Sequence, residues 1–155
     1  MSALRTAYRI WGLIMFVAVL VQVGAAGYGA FYVANKLQDK GDTLGHEGWD
    51  HGWSFHSGFG TIVVIGLLIL LILALAVRVP RPAIWFPVAL GVAAILQIVF
   101  AEVGRSAPSV GFLHPLNALV IFSLTGLIAH RAWRGDHRHM GGAPAAPAPT
   151  PPPAA

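Results

Sequence analysis

Four long apolar stretches divide this chain, at about residues 8–34, 57–78, 83–103 and 112–131. Each is close to the ~20 residues that an α-helix needs to cross a hydrocarbon layer of ~30 Å. The second and third stretches lack the alternation of apolar and polar residues that is typical of a barrel strand. Because backbone polar groups in lipid must be satisfied within their own segment, the pattern predicts four transmembrane helices.

The composition supports the same class of protein. Of the 155 residues, 56% are hydrophobic and only 10% are charged, with a mean hydropathy of +0.68, which excludes an ordinary soluble domain. We therefore predict an all-α, polytopic membrane four-helix bundle over residues 1–134. Residues 135–155 are rich in Gly, Ala and Pro and predict a disordered cytoplasmic tail. Arg5 and Arg9 also suit the start of a secretory signal, but the length of the first stretch favours a retained anchor.

The distribution of Lys and Arg predicts the orientation. One side of the membrane carries seven of the ten cationic residues: Arg5, Arg9, Arg78, Arg81, Arg131, Arg134 and Arg138. The other side carries Lys36, Lys40 and Arg105. Since the richer side is cytoplasmic, we expect both termini inside a bacterial-type cytoplasmic (inner) membrane. The net charge of +4 then indicates attraction to anionic lipid rather than nucleic-acid binding.

Two of the seven histidines, His56 and His114, open the second and fourth spans on the predicted outer side. If the two histidines lie at the same depth on alternate helices of a bundle, their imidazoles can bind one haem iron from opposite faces. Gly60 and Ala118 lie four residues further along on the same helix faces and are small enough to leave room for a flat macrocycle. Either histidine alone could simply donate to a headgroup or a loop carbonyl, so the prediction depends on the pair.

The segments around these histidines also resemble a known family. Residues 55–60 (FHSGFG) and 112–119 (FLHPLNAL) resemble the ligand-bearing second and fourth helices of one half of haem A synthase. They resemble more loosely other small b-type membrane cytochromes and small bacterial four-helix membrane proteins. The similarity covers roughly residues 8–133 and implies one haem b per chain, held by His56 and His114. In the synthases a glutamate stands at the position of Trp53 and an arginine at that of Ser57, and these departures argue against synthase activity.

Two imidazoles would fill both axial positions of the iron, so that it could only change oxidation state. We therefore expect an electron-transfer protein rather than a catalyst in its own right, with membrane quinone and an extracytoplasmic redox protein as partners. Arg105 could pair with a haem propionate or be a simple loop cation. Gln22, Gln97 and Asn117 could tune the site or bond one helix to another, and the small residues at 24–30 would suit a homodimer. The absence of cysteine excludes covalent haem attachment through a C-x-x-C-H motif.

The predicted outer connection holds a second set of candidate ligands: His46, Glu47, Asp50 and His51. Their nitrogen and oxygen donors suit zinc or copper(II), although the spacing matches no established zinc pattern. The segment equally suits a solvated loop or a surface for docking a partner. Two other functions therefore stay open: a non-redox membrane subunit or assembly factor with structural histidines, and a metal-binding membrane protein.

Overall fold

The computed structural model describes the backbone of residues 2–140 and the side chains of residues 3–134. Its helices are α1 (Ser2–Lys36), α2 (His46–Ala76), α3 (Arg81–Ser106), α4 (Pro108–Gly111) and α5 (Leu113–Met140). The described residues contain no β-strand. Four of the helices are long and apolar enough to cross a membrane, which confirms the all-α class and the number of spans.

Two helix boundaries differ from the prediction. Helix α2 begins at His46 rather than near residue 57, and α5 continues to Met140 rather than ending near 131. Residues 46–55 are helical because they pack on the end of α1, where the ring of His51 lies 5.1 Å from that of Tyr32. This packing outweighs the low helix propensity of the two glycines in the segment, Gly48 and Gly52. Residues 141–155 of the predicted tail lie outside the described residues.

The four long helices form a closed ring. Helix α1 packs beside α2 and α5, and α3 packs beside the same two helices. Over the described residues, α2 has no close backbone contact with α5, nor α1 with α3. Helices α2 and α5 therefore face each other diagonally across the bundle, as the spacing of the two histidines predicted.

A tight turn joins α2 to α3. Arg78 adopts a left-handed conformation with φ of 55°. The N–H of Val79 donates to the carbonyl of Ala74 at 3.1 Å, and that of Arg78 to the carbonyl of Leu75 at 3.1 Å. These two bonds close the end of α2 in a Schellman motif, and Pro80 then precedes the first turn of α3.

The bundle has an apolar half and a polar half. The buried apolar core lies toward the 77–80 turn and includes Leu67, Leu70, Leu90 and Ala94, each at most 1% exposed. Large apolar side chains elsewhere face outward, as expected of a helix bundle surrounded by lipid. The opposite end of the bundle holds the 37–45 and 107–112 connections, and we call it the α1–α2 end. The interior toward this end contains histidine, glutamine, asparagine and tryptophan.

Candidate functional site

His56 and His114 meet inside the polar half of the bundle. Their ring centroids lie 6.2 Å apart, with the ring planes at 69° to each other, and both side chains are half-buried. His114 is the second residue of α5, whereas His56 lies well inside α2 rather than in its first turn as predicted.

The hydrogen bonds of His114 fix which ring nitrogen carries the proton. Its Nδ1 lies 3.0 Å from the backbone carbonyl of Gln97 on α3. A carbonyl can only accept, so Nδ1 carries the hydrogen and donates it. The lone pair is then on Nε2, where it accepts a hydrogen bond from the side-chain Nε2 of Gln97 at 3.1 Å. The oxygen of the same amide accepts from Asn117 Nδ2 at 2.7 Å.

His56 also contacts a glutamine of the preceding long helix, but through one ring nitrogen only. Its Nδ1 lies 3.3 Å from the backbone carbonyl of Gln22 on α1, to which it donates in the tautomer that leaves the lone pair on Nε2; in the other tautomer Nδ1 accepts from the Gln22 side-chain amide. The side-chain Nε2 of Gln22 donates to the backbone carbonyl of His56 at 2.7 Å and lies 3.0 Å from His56 Nδ1. Each ring therefore lies against a backbone carbonyl of a neighbouring helix: His56 against α1 and His114 against α3.

The pair fits a metal ion held between two imidazoles. Nitrogen ligands at about 2 Å from one ion place the two ring centroids roughly 6 Å apart, close to the separation seen here. Histidine ligands also commonly donate their second ring N–H to a backbone carbonyl, which sets the tautomer and the ring orientation. His114 meets that condition, and His56 meets it in the tautomer that is protonated on Nδ1. An ion on His114 Nε2 would also require the Gln97 side-chain amide to rotate away.

Two buried polar atoms next to the histidines have no hydrogen-bond partner. They are Gln22 Oε1 and Trp53 Nε1. Trp53 lies one helical turn before His56, and the two rings meet edge to face with centroids 5.6 Å apart. Unpaired buried polar atoms are uncommon in folded proteins and often mark a missing ligand or water.

The other residues predicted for the haem site have different surroundings. A side chain at Gly60 would bring its Cβ to 2.6 Å from Gln22 Nε2, so the Gln22 amide fills the space that was predicted for a macrocycle, and a macrocycle there would require this amide to move. Ala118 is half-buried on α5. The side chain of Arg105 is 74% exposed and lies 3.4 Å from Glu102, so its partner here is a carboxylate of its own helix.

The structure does not assemble the second set of candidate ligands. His46 and Asp50 lie one turn apart on α2, 4.0 Å from each other and largely exposed. His51 packs on Tyr32, and with Glu47 it borders an open pocket of about 350 Å³ between the ends of α1 and α2. Among the described residues, no group of three or more His, Cys, Asp or Glu side chains is placed to hold a metal ion.

The sequence singled out Gln22, Gln97 and Asn117 as residues that could tune the site or bond helix to helix. All three make hydrogen bonds between helices, and Gln22 and Gln97 contact the two histidines. Sequence reasoning missed the two backbone carbonyls that the rings contact and the unpaired Trp53 donor. The sequence cannot indicate which backbone carbonyl a histidine ring will contact, because every residue has one. Comparisons with protein-family models, curated proteins and solved structures find no match to this chain.

Proposed function

We propose that this protein is a membrane-embedded b-type cytochrome that holds one haem between His56 and His114 and transfers electrons. The observation that carries the proposal is the pair of facing imidazoles from diagonal helices, each with Nδ1 directed at a glutamine backbone carbonyl. The resemblance of residues 55–60 and 112–119 to the ligand helices of haem A synthase supports the same cofactor.

The residues of the chain would have defined parts in this function. Bound haem supplies a one-electron redox centre, and two histidine ligands leave it no position for oxygen or substrate. With both rings protonated on Nδ1, the carbonyls of Gln22 and Gln97 would hold the imidazoles in place and leave each Nε2 lone pair for the iron. Lipid-facing side chains around the bundle keep bulk water away from the site, which lowers the local dielectric and so influences the redox potential.

The proposed setting is a bacterial-type inner membrane with both termini cytoplasmic, so that the α1–α2 end faces outward. Membrane quinol is a suitable electron donor, and an extracytoplasmic redox protein is a suitable acceptor. A quinol gives up two electrons and two protons, so a one-electron centre held by His56 and His114 would have to pass the first electron to the acceptor before it took the second, and the protons would be released to the solution. The pocket bordered by Glu47 and His51 lies at this end.

A visible spectrum of purified protein supplied with haem tests the proposal. We expect one haem per chain and sharp low-spin α and β bands after reduction with dithionite. His56→Ala and His114→Ala should each abolish these bands, because a single imidazole cannot fill both axial positions. His130→Ala is the matched control, since His130 is an exposed histidine on α5, and it should leave the spectrum unchanged. Protein that stays colourless, or bands that survive both substitutions, would refute the proposal.

A second candidate is a non-redox membrane subunit in which the histidines are structural. One observation favours it: His114 Nε2 already accepts a hydrogen bond from Gln97, so this ring is satisfied without a ligand. In that case His114→Ala should lower the stability of a colourless protein, because the amide and carbonyl of Gln97 would lose their partners. The same purified variants distinguish the two functions.

A further inference from the structure

We infer that the indole N–H of Trp53 binds a carboxylate of the tetrapyrrole, a haem propionate, and so anchors the edge of the cofactor at the α1–α2 end. The inference rests on the proposed function and adds a residue to it. It starts from an unpaired buried donor, Trp53 Nε1, that nothing in the described part of the chain satisfies.

The indole of Trp53 has no hydrogen-bond acceptor, whereas the indole of Trp11 has one. Trp11 Nε1, in the apolar half, donates to the backbone carbonyl of Gly66 at 2.8 Å. Trp49, Trp85 and Trp133 are 50%, 71% and 46% exposed, so water can reach their indoles. Trp53 alone among the five tryptophans combines a buried nitrogen with no acceptor.

The indole of Trp53 is held in place by close packing. A Cβ on Gly29 would lie 2.9 Å from Cδ2 and Cε3 of Trp53, and 2.9 Å from the carbonyl oxygen of Gly52. Trp49 packs on the other side, with ring centroids 5.9 Å apart. Because the ring cannot turn freely, its N–H cannot easily reach a different partner. A fixed donor of this kind is prepared for an acceptor that arrives with a ligand.

The chemistry of the donor limits which kind of group can bind the Trp53 N–H. An indole nitrogen only donates, so its partner must be an acceptor, and a hydrogen bond to a carboxylate is stronger than one to a neutral oxygen. Trp53 lies three residues before His56, which places it about one turn nearer the α1–α2 end. Propionates are the only carboxylates of haem b. Arg105, which the sequence suggested as the partner of a propionate, is instead exposed beside Glu102.

Trp53→Phe keeps the aromatic ring and removes only the N–H. With haem b bound, we expect this variant to retain the spectrum of two histidine ligands, to shift the propionate bending band in the resonance Raman spectrum, and to lose haem to apomyoglobin about tenfold faster. Trp49→Phe, on the neighbouring exposed ring, is the matched control and should change neither readout.

Haem b dimethyl ester, in which both carboxylates are blocked, separates the hydrogen bond from packing. The ester carbonyl is a weaker acceptor than a carboxylate, so with the ester the difference in loss rate between Trp53→Phe and wild type should shrink from about tenfold to about twofold or less. A propionate band and a loss rate equal to those of Trp49→Phe, or a full difference of about tenfold that persists with the ester, would overturn the inference and leave the proposed function standing. If Trp53→Phe does not fold, wild type alone decides: it should lose the ester about tenfold faster than haem b, and equal rates would refute the carboxylate contact. Failure of wild type to bind haem would instead refute the proposed function itself.

Discussion

A backbone carbonyl faces Nδ1 of each imidazole. Carbonyl oxygens inside a helix already accept one bond from the N–H four residues later, but a second lone pair remains available. The carbonyl of Gln97 uses it for the Nδ1–H of His114, and the carbonyl of Gln22 can accept from His56 in the same way when that ring is protonated on Nδ1. Substituting either glutamine side chain would leave these bonds in place, so the ring orientation is more robust than the side-chain network around it.

Gly60 is the residue at which the packing of Gln22 can be tested. A Cβ there would displace the Gln22 amide from the His56 carbonyl that it now bonds at 2.7 Å. Alanine in place of a helical glycine otherwise stabilises by up to about 1 kcal/mol. We expect Gly60→Ala to have a free energy of unfolding about 1 kcal/mol below that of Gly58→Ala, since it loses one hydrogen bond.

Gly58 is a suitable control because a Cβ at that position meets nothing within 4 Å. Both variants would be unfolded in mixed detergent micelles and followed by circular dichroism. Equal stabilities would mean that the Gln22 amide does not occupy the space beside Gly60.

At the scale of helices, the first ten residues of α2 exist as a helix because of their contact with α1. The contact depends on glycine: a Cβ on Gly29 would press on the Gly52 carbonyl and the Trp53 ring, neither of which can easily move. Gly29→Ala should therefore lower the free energy of unfolding by about 1–3 kcal/mol, the usual cost of overpacking. Gly27→Ala, whose Cβ would meet nothing within 4 Å, should be neutral or slightly stabilising. Two variants of equal stability would contradict a tight α1–α2 interface.

The helix elements also show what sequence can and cannot predict. The four spans were predictable because apolarity and length are local properties of each segment. The start of α2 was not, because residues 46–55 look like a glycine-rich loop until Tyr32 and Gly29 on α1 are placed against them. Tertiary packing of this kind overrides local propensity.

The candidate site was predictable only in outline. The pairing of His56 with His114 followed from the order of the spans. The filling of the space beside Gly60 by Gln22, and the exposure of Arg105, depend on how side chains from different helices meet. The spacing of residues within one helix does not show which side chains of another helix they will contact.

For the molecule as a whole, the proposed orientation follows from seven cationic residues on one side against three on the other. The chain has no cysteine, so single cysteines can report the side directly. In intact cells we expect an impermeant maleimide to label Ser106→Cys at the α1–α2 end, whereas Ala3→Cys should react only after permeabilisation. Both positions are exposed. Labelling in the reverse order would invert the proposed topology and place the histidine pair near the cytoplasm.

The division of the bundle into an apolar and a polar half matters for the proposed function. The core around Leu70 and Leu90 is closely packed and fully buried, and it can stabilise the fold without any cofactor. The polar half then carries the histidine pair and the unpaired Trp53 and Gln22 atoms. Loss of haem should therefore leave the protein folded, which makes the ligand variants interpretable.

Ligation of one haem by His56 and His114 is tested most directly by near-infrared magnetic circular dichroism of the oxidised, haem-loaded protein, because the charge-transfer band of low-spin ferric haem identifies the pair of axial ligands. We expect the band of two imidazole nitrogens in wild type, and its loss in both His56→Ala and His114→Ala. A high-spin spectrum of wild type, or a band that indicates one histidine with a different second ligand, would refute ligation by this pair.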